Sequence, residues 1–325
     1  MTIRKILLRL FWVLLLAALL YWALKNAPLT DIWSTLRRLQ LWQIAALIGV
    51  NLAIYALVTL RWWIITSAEA GHVPYLPLFS TRLAVFGVSY FTLGPQVGGE
   101  PLQVLALRHR YGLTYVHATA TVVMDKLVEF LGNFVLLAAG LAAVARAGIL
   151  SETASPAWGS LTPLAAMAAW PPLHVAMLYR GVHPLGDALR AALSKKRIPK
   201  WARFVIAAER LAGRFCRRHP RALLNAIGAS LLAAAGMVTE YALIASFLNI
   251  ELGAAQTVAA WTASWLAFLV PWPGGLGALE ASQVFALGAF GVSAAAAIGV
   301  TLVIRARDLF IGGIGALFAS RAVAK

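Results

Sequence analysis

Long apolar runs separated by short basic segments dominate this chain, and their lengths predict membrane-spanning helices. Arg4, Lys5 and Arg9 precede an apolar run from Leu10 to Leu24, and the first span covers about residues 6–24. No small-x-small cleavage site follows it, so it reads as an uncleaved span with a cytoplasmic start. Leu29 to Leu41 then sets Trp33, Leu36 and Leu39 against Arg37 and Arg38, the pattern of a piece lying in the interface. A second span, about 42–60, ends at Arg61-Trp62-Trp63, which reads as an interfacial anchor of one cation and two tryptophans. Further spans fall at about 115–145, 161–179, 222–248 and 292–318. No stretch alternates apolar and polar residues as a membrane strand does, which argues against a barrel.

Two apolar segments are too short to cross, and each is broken by proline and glycine. Leu78 to Leu93 and Pro101 to Leu107 flank Gly94-Pro95-Gln96-Val97-Gly98-Gly99-Glu100. Val258 to Val270 and Leu279 to Phe290 flank Pro271-Trp272-Pro273-Gly274-Gly275-Leu276-Gly277-Ala278-Leu279-Glu280. Membranes tolerate interrupted backbone only where protein or a cavity shelters it, so each segment predicts a re-entrant hairpin, over 78–110 and 258–290. Basic segments stay in the cytoplasm. By that rule both termini are cytoplasmic, and the hairpins enter from opposite faces.

The expected fold is an all-α polytopic membrane protein, with about six full transmembrane helices plus two re-entrant helical hairpins arranged as an inverted repeat. Counting each hairpin as two short spans changes no other orientation. The chain reads as one integral membrane domain, 1–325. A basic cytoplasmic amphipathic linker, 180–220, joins the halves 1–179 and 221–325. Within it Trp201, Phe204, Val205, Ala208, Leu211 and Phe215 recur at helical spacing, as in a helix lying on the membrane surface.

Composition agrees: 61% of residues are hydrophobic and only 12% are charged, which excludes an ordinary soluble domain. The net charge of +16 is concentrated rather than spread. Arg180 to Arg221 holds 12 of the 28 Lys and Arg residues, so the charge points to orientation and anionic headgroups rather than to nucleic acid. Cys216 is alone, the six histidines are scattered, and no metal or cofactor site is expected. Its neighbours Arg214, Arg217 and Arg218 are of the kind that lowers a thiol's pKa, although an incidental cysteine is the plainer account. No Gly-Lys-Ser/Thr follows either break, so nucleotide binding has no support. No nucleophile, histidine and acid converge, so no enzyme is expected.

A shift of 179 to 180 positions superposes the two breaks and the segments after them. Glu100 falls on Glu280, Gln103 on Gln283, Ala118 on Ala297, Lys126 on Arg305 and Glu129 on Asp308. Each charge near the middle of a span costs about 2.5–3.5 kcal/mol if it faces lipid, so these side chains face the interior. Lys126 with Glu129, and Arg305 with Asp308, lie at i,i+3, and Asp125 with Glu129 at i,i+4. Either they lock helices together or they line a path for a polar lipid or ion. Glu100 and Glu280 begin short helices, where a carboxylate either complements the helix dipole or serves a proton or a headgroup. Glycine turns at Gly98, Gly99, Gly274, Gly275 and Gly277 expose N–H groups that suit phosphate. Glu240 is a further intramembrane acid, and Arg307 either snorkels or pairs with it.

The paired motifs resemble those of a known family. Leu93 to Leu102 with Arg108, Gly112, Ala118 and Asp125-Lys126 is similar to the first motif of the flippase-like domain of lysylphosphatidylglycerol synthases. Pro273 to Glu280 with Gly291-Val292 and Arg305 is similar to the second. The hopanoid-associated branch of the family is similar in size. One departure is Pro95-Gln96-Val97, which widens the first turn. The resemblance implies an integral membrane protein that moves lipid between leaflets. The soluble aminoacyl-transferring domain of the synthases would lie beyond this chain's last residue. The expected function is therefore a flippase of the bacterial inner membrane for a polar or anionic lipid, not driven by ATP. The alternative is a non-transporting scaffold for lipid-synthesis enzymes. Gly98, Gly99, Glu100, Gln103, Asp125, Lys126, Glu129, Glu240, Gly274, Gly275, Gly277, Glu280, Gln283, Arg305 and Asp308 are the candidate residues of the lipid path.

Overall fold

The computed structural model describes residues 33, 37, 39–71, 73–92, 98–146, 158–193, 198–270 and 275–323. Among them are eleven helices and no strand, as the apolar pattern predicts. The first expected span, most of the interfacial piece, residues 94–97 of the first break and 271–274 of the second, Gly274 among them, lie outside the described residues.

The helices are α1 (Leu41–Ala70), α2 (Tyr75–Phe91), α3 (Glu100–Tyr111), α4 (Tyr115–Arg146), α5 (Trp158–Tyr179), α6 (Pro184–Ala192), α7 (Lys200–Arg218), α8 (Pro220–Phe247), α9 (Ala254–Leu269), α10 (Ala278–Gly288) and α11 (Ala294–Val323). Four of them recur in order. Helices α1, α2 and α4 begin 179 residues before α8, α9 and α11, and α3 begins 178 before α10. The terminators repeat too, for Gly112 after α3 and Gly291 after α10 both take positive φ, at 69° and 80°. A left-handed residue just past a helix end satisfies the last carbonyls, and glycine does so without strain. Helices α1 and α8 are long and apolar enough to cross a membrane. Helix α4, at 32 residues, is about 48 Å long, but it carries three charges mid-length.

In space the chain forms two compact units, and each draws on both sequence halves. One comprises 1–53, 76–101 and 236–325; the other comprises 54–75 and 102–235.

In the second unit α4, α5 and α7 pack on one another, and α6 packs on α7. Ile65, Met124, Val128, Leu178, Ala212, Phe215 and Ala226 form its core. The sequence pattern of α7 suggests a helix on a membrane surface; of its apolar set Ala208 and Phe215 are buried in the protein, while Trp201 is exposed. The buried face holds Ala202, Ile206, Ala208, Ala212, Phe215 and Cys216. Amphipathic spacing says that a face must be covered, not by what. Glu209 sits on the same buried face and accepts N–H bonds from Leu185 at 3.0 Å and Gly186 at 2.6 Å. Those N–H groups belong to the first turn of α6 and have no partner within their own helix, so α7 caps α6 from outside. Cys216 is not activated by its arginines: burial dominates and pushes the thiol up to about 11.

In the first unit α9, α10 and α11 pack in sequence, and α2 crosses α11 almost backbone to backbone. A Cβ added at Gly315 would lie 2.1 Å from the carbonyl oxygen of Leu83. One at Gly87 would lie 2.6 Å from the nitrogen of Ala316. Small residues are what let membrane helices approach this closely.

Gly315→Ala should therefore force the crossing apart and lower stability by about 1–3 kcal/mol, read as a drop in melting temperature of the detergent-purified protein. Gly313→Ala is the control, since a Cβ there meets nothing within 4 Å. Equal melting of the two variants would refute the close crossing. Cys216 should react slowly with maleimide at pH 8 while folded, because only about a thousandth of a thiol with that pKa is ionised. Rapid labelling of the native protein would contradict its burial.

Candidate functional site

Each glycine turn is closed by the glutamate that follows it. Gly98 has φ 124° and its N–H donates to Glu100 Oε2 at 2.8 Å. Gly277 has φ 78° and its N–H donates to Glu280 Oε2 at 2.9 Å. Positive φ orients these N–H groups toward the helix they precede, and only glycine adopts it freely. A carboxylate of the chain thus takes a donor that the sequence pattern suggests for a phosphate. Gly99 is equally constrained, since a Cβ there would lie 2.5 Å from Ser89 Oγ and from the carbonyl oxygen of Val85.

The charges of α4 belong to a buried network in the second unit. Arg61 Nε donates to Asp125 Oδ1 at 2.7 Å, and its NH2 donates to Glu129 Oε2 at 2.7 Å. Its NH1 donates to Ser230 Oγ at 3.3 Å, and Ser230 in turn donates to the carbonyl oxygen of Val128 at 2.9 Å. One guanidinium thus ties α1, α4 and α8. Arg61 and Trp62 are 1% and 0% exposed, so the expected interfacial anchor is an interior group. Helix α1 runs on to Ala70 and carries both residues mid-helix. Lys126 lies 3.4 Å from Glu129, as its spacing predicts, with a fifth of its side chain exposed.

The charges of α11 pair differently from the i,i+3 expectation. Arg305 turns to Glu280 rather than to Asp308: Nε reaches Oε1 at 2.5 Å and NH2 reaches Oε2 at 2.7 Å. This bidentate fork, the geometry guanidinium and carboxylate prefer, ties α11 to the start of α10. Arg305 NH2 also approaches the carbonyl oxygen of Gly275 at 3.4 Å. Asp308 pairs with Arg307, which also holds Glu240.

The two glutamines differ. Both are wholly buried. Tyr241 Oη donates to Gln283 Oε1, and Gln283 Nε2 donates to the carbonyl oxygen of Ala260 at 3.1 Å. Neither amide atom of Gln103 has a hydrogen-bond partner. Trp62 occupies the repeat position of Tyr241, 179 residues earlier, and its buried Nε1 is likewise without one. A buried polar group in that condition marks a place where water or a ligand's polar atom belongs.

Arg61, Ser230, Asn51 and Tyr241 are members of these networks that sequence reasoning missed. Arg61 had a signal. Asp125, Lys126 and Glu129 leave the middle of α4 with one excess negative charge in apolar surroundings, which demands a cation from another helix. The neutral partners left no such trace.

Residues 7–315 match the family model described as the lysylphosphatidylglycerol synthase TM region, and the chain belongs to that family of membrane domains. The match spans both motifs and both networks. No curated protein and no solved structure matches the chain.

Removing one partner of a buried ion pair strands the other, so Arg61→Met should cost about 3–5 kcal/mol in thermal unfolding. Adding Asp125→Asn should recover part of that loss, because Glu129 keeps Lys126. A double variant no more stable than Arg61→Met would rule out this coupling.

Proposed function

From that family membership, we propose that the chain is a flippase of the bacterial inner membrane, moving a polar or anionic lipid between leaflets without ATP. Both termini lie in the cytoplasm. About six spans cross the membrane, and the segments 78–110 and 258–290 enter it as opposed re-entrant hairpins, forming an inverted repeat. No covalent chemistry is performed on the lipid.

The observation that carries this reading is the pair of ionic clusters buried mid-helix at repeat-equivalent positions, around Lys126 and Arg305. Intramembrane charges are costly, and they persist chiefly on substrate and ion pathways. The recurrence of four helices supports a transporter architecture, in which polar sites lie at interrupted helices in corresponding positions of two repeats. Lys126 is the suited headgroup cation, because a fifth of its side chain is exposed beside Glu129. Arg305, forked onto Glu280, shapes the second turn instead. Acyl chains stay in the surrounding lipid, and only the headgroup enters the polar interior.

One observation favours the second reading, a scaffold for lipid-synthesis enzymes. The turn N–H groups and the arginines already hold carboxylates of the chain, which is also how a purely structural lock looks.

Flipping of a labelled anionic lipid in proteoliposomes separates the two. The wild type should flip it, and folded Lys126→Ala should do so about tenfold more slowly, the loss expected of one charge-assisted contact. A folded Lys126→Ala that flips at the wild-type rate removes the headgroup role. A wild type that flips nothing favours the scaffold.

A further inference from the structure

Glu240, Arg307 and Asp308 form a triad whose charges do not balance. Arg307 NH1 donates to Glu240 Oε2 at 2.6 Å, and Asn51 Nδ2 donates to Glu240 Oε1 at 2.9 Å. Arg307 Nε and NH2 both reach Asp308 Oδ1, at 2.9 Å and 2.8 Å. One guanidinium therefore serves two carboxylates, and those are only 2% and 4% exposed.

Among the described residues, the neighbouring groups do not supply the missing charge. Arg305, on the same helix, is forked onto Glu280 from α10. From α2, Tyr90 faces Arg305 and Asp308 with a neutral hydroxyl. From α1, Asn51 is neutral. Among the described residues, three carboxylates thus stand against two guanidiniums. The other network differs: Arg61 and Lys126 face Asp125 and Glu129, two charges of each sign.

An uncompensated charge in an apolar interior is costly, and a carboxylate so placed neutralises by taking a proton. Two carboxylates sharing one cation each make the other easier to protonate. The position of the proton follows from the hydrogen bonds. Both oxygens of Glu240 already accept donors, whereas both Arg307 bonds to Asp308 go to Oδ1.

We propose that this triad binds one proton, carried on Oδ2 of Asp308, and that this proton couples lipid movement to the proton gradient. The coupling rests on the transport reading above; the proton site does not. The step is association alone: the Asp308 carboxylate becomes a carboxylic acid, the triad becomes neutral, and release to the other side restores its charge. The coupling partner is then a proton where no nucleotide motif exists. Intramembrane acids in pumps and transporters serve as such relays.

Infrared titration of the full chain in detergent tests the site without transport. The wild type should show the carbonyl band of a protonated carboxyl at neutral pH, equivalent to one group per chain, and Asp308→Asn should remove it. Glu240→Gln leaves one cation facing one carboxylate, so it should abolish the band as well. Thermal melts verify that both variants are folded. A wild type without the band, or a band that survives both substitutions, overturns the proposal. In vesicles, wild-type flipping should change several-fold under an imposed pH gradient, and Asp308→Asn should not respond. Wild-type flipping that ignores the gradient overturns the coupling. A titrating band in a protein that flips nothing upholds the proton site while the lipid reading fails.

Discussion

A charged side chain in an apolar interior must find a counter-charge, and that single constraint organises this molecule. It explains why α1, α4 and α8 meet where they do. The Arg61 guanidinium has hydrogen-bond partners on two other helices, and moving α1 or α4 away would strand a charge. The same constraint fastens α11 to the start of α10, because Arg305 and Glu280 are each costly alone. Replacement of such pairs by apolar residues is often neutral or stabilising in soluble proteins, so their presence here is weak evidence for a purely structural purpose.

The repeat reproduces positions without reproducing partners. Lys126 and Arg305 are equivalent in sequence, yet the lysine contacts Glu129 within its own helix while the arginine reaches across to Glu280 in the first turn of α10. The difference is chemical as well as positional. A guanidinium presents a rigid planar fork that matches a carboxylate, whereas an ammonium is a compact point charge on a flexible stem. Gln103 and Gln283 diverge in the same sense, one amide satisfied by a tyrosine and a carbonyl, the other unsatisfied. A duplicated frame thus carries two chemically distinct polar sites.

Much of this frame was legible in the sequence. The all-helical class followed from apolar run lengths, and the repeat followed from two glycine breaks and the charges after them. Charge spacing led correctly to Lys126 with Glu129 but misled at Arg305, because an i,i+3 neighbour competes with any carboxylate that tertiary packing brings closer. Arg61 beside two tryptophans matched an interfacial anchor in composition. Only the charge imbalance in the middle of α4 argued otherwise. The apolar face of α7 was legible only in part: Ala208 and Phe215 lie on its buried side, whereas Trp201 is exposed. Hydroxyl and amide partners such as Ser230 and Asn51 were out of reach, since neutral polar residues create no imbalance to trace.

The glycine turns show why legibility of a motif is not legibility of its state. A turn followed by a helix N-terminus offers backbone donors to any anion of suitable size. Here the anion is the chain's own glutamate, held at 2.8 Å in one turn and 2.9 Å in the other. A headgroup phosphate entering either turn meets an occupied donor and must displace a carboxylate of the same sign. For Glu280 that displacement also loosens the fork from Arg305, because one carboxylate serves both. The described conformation is one in which the chain satisfies its own site, so an external anion at the second turn competes with Glu280 for the Gly277 N–H.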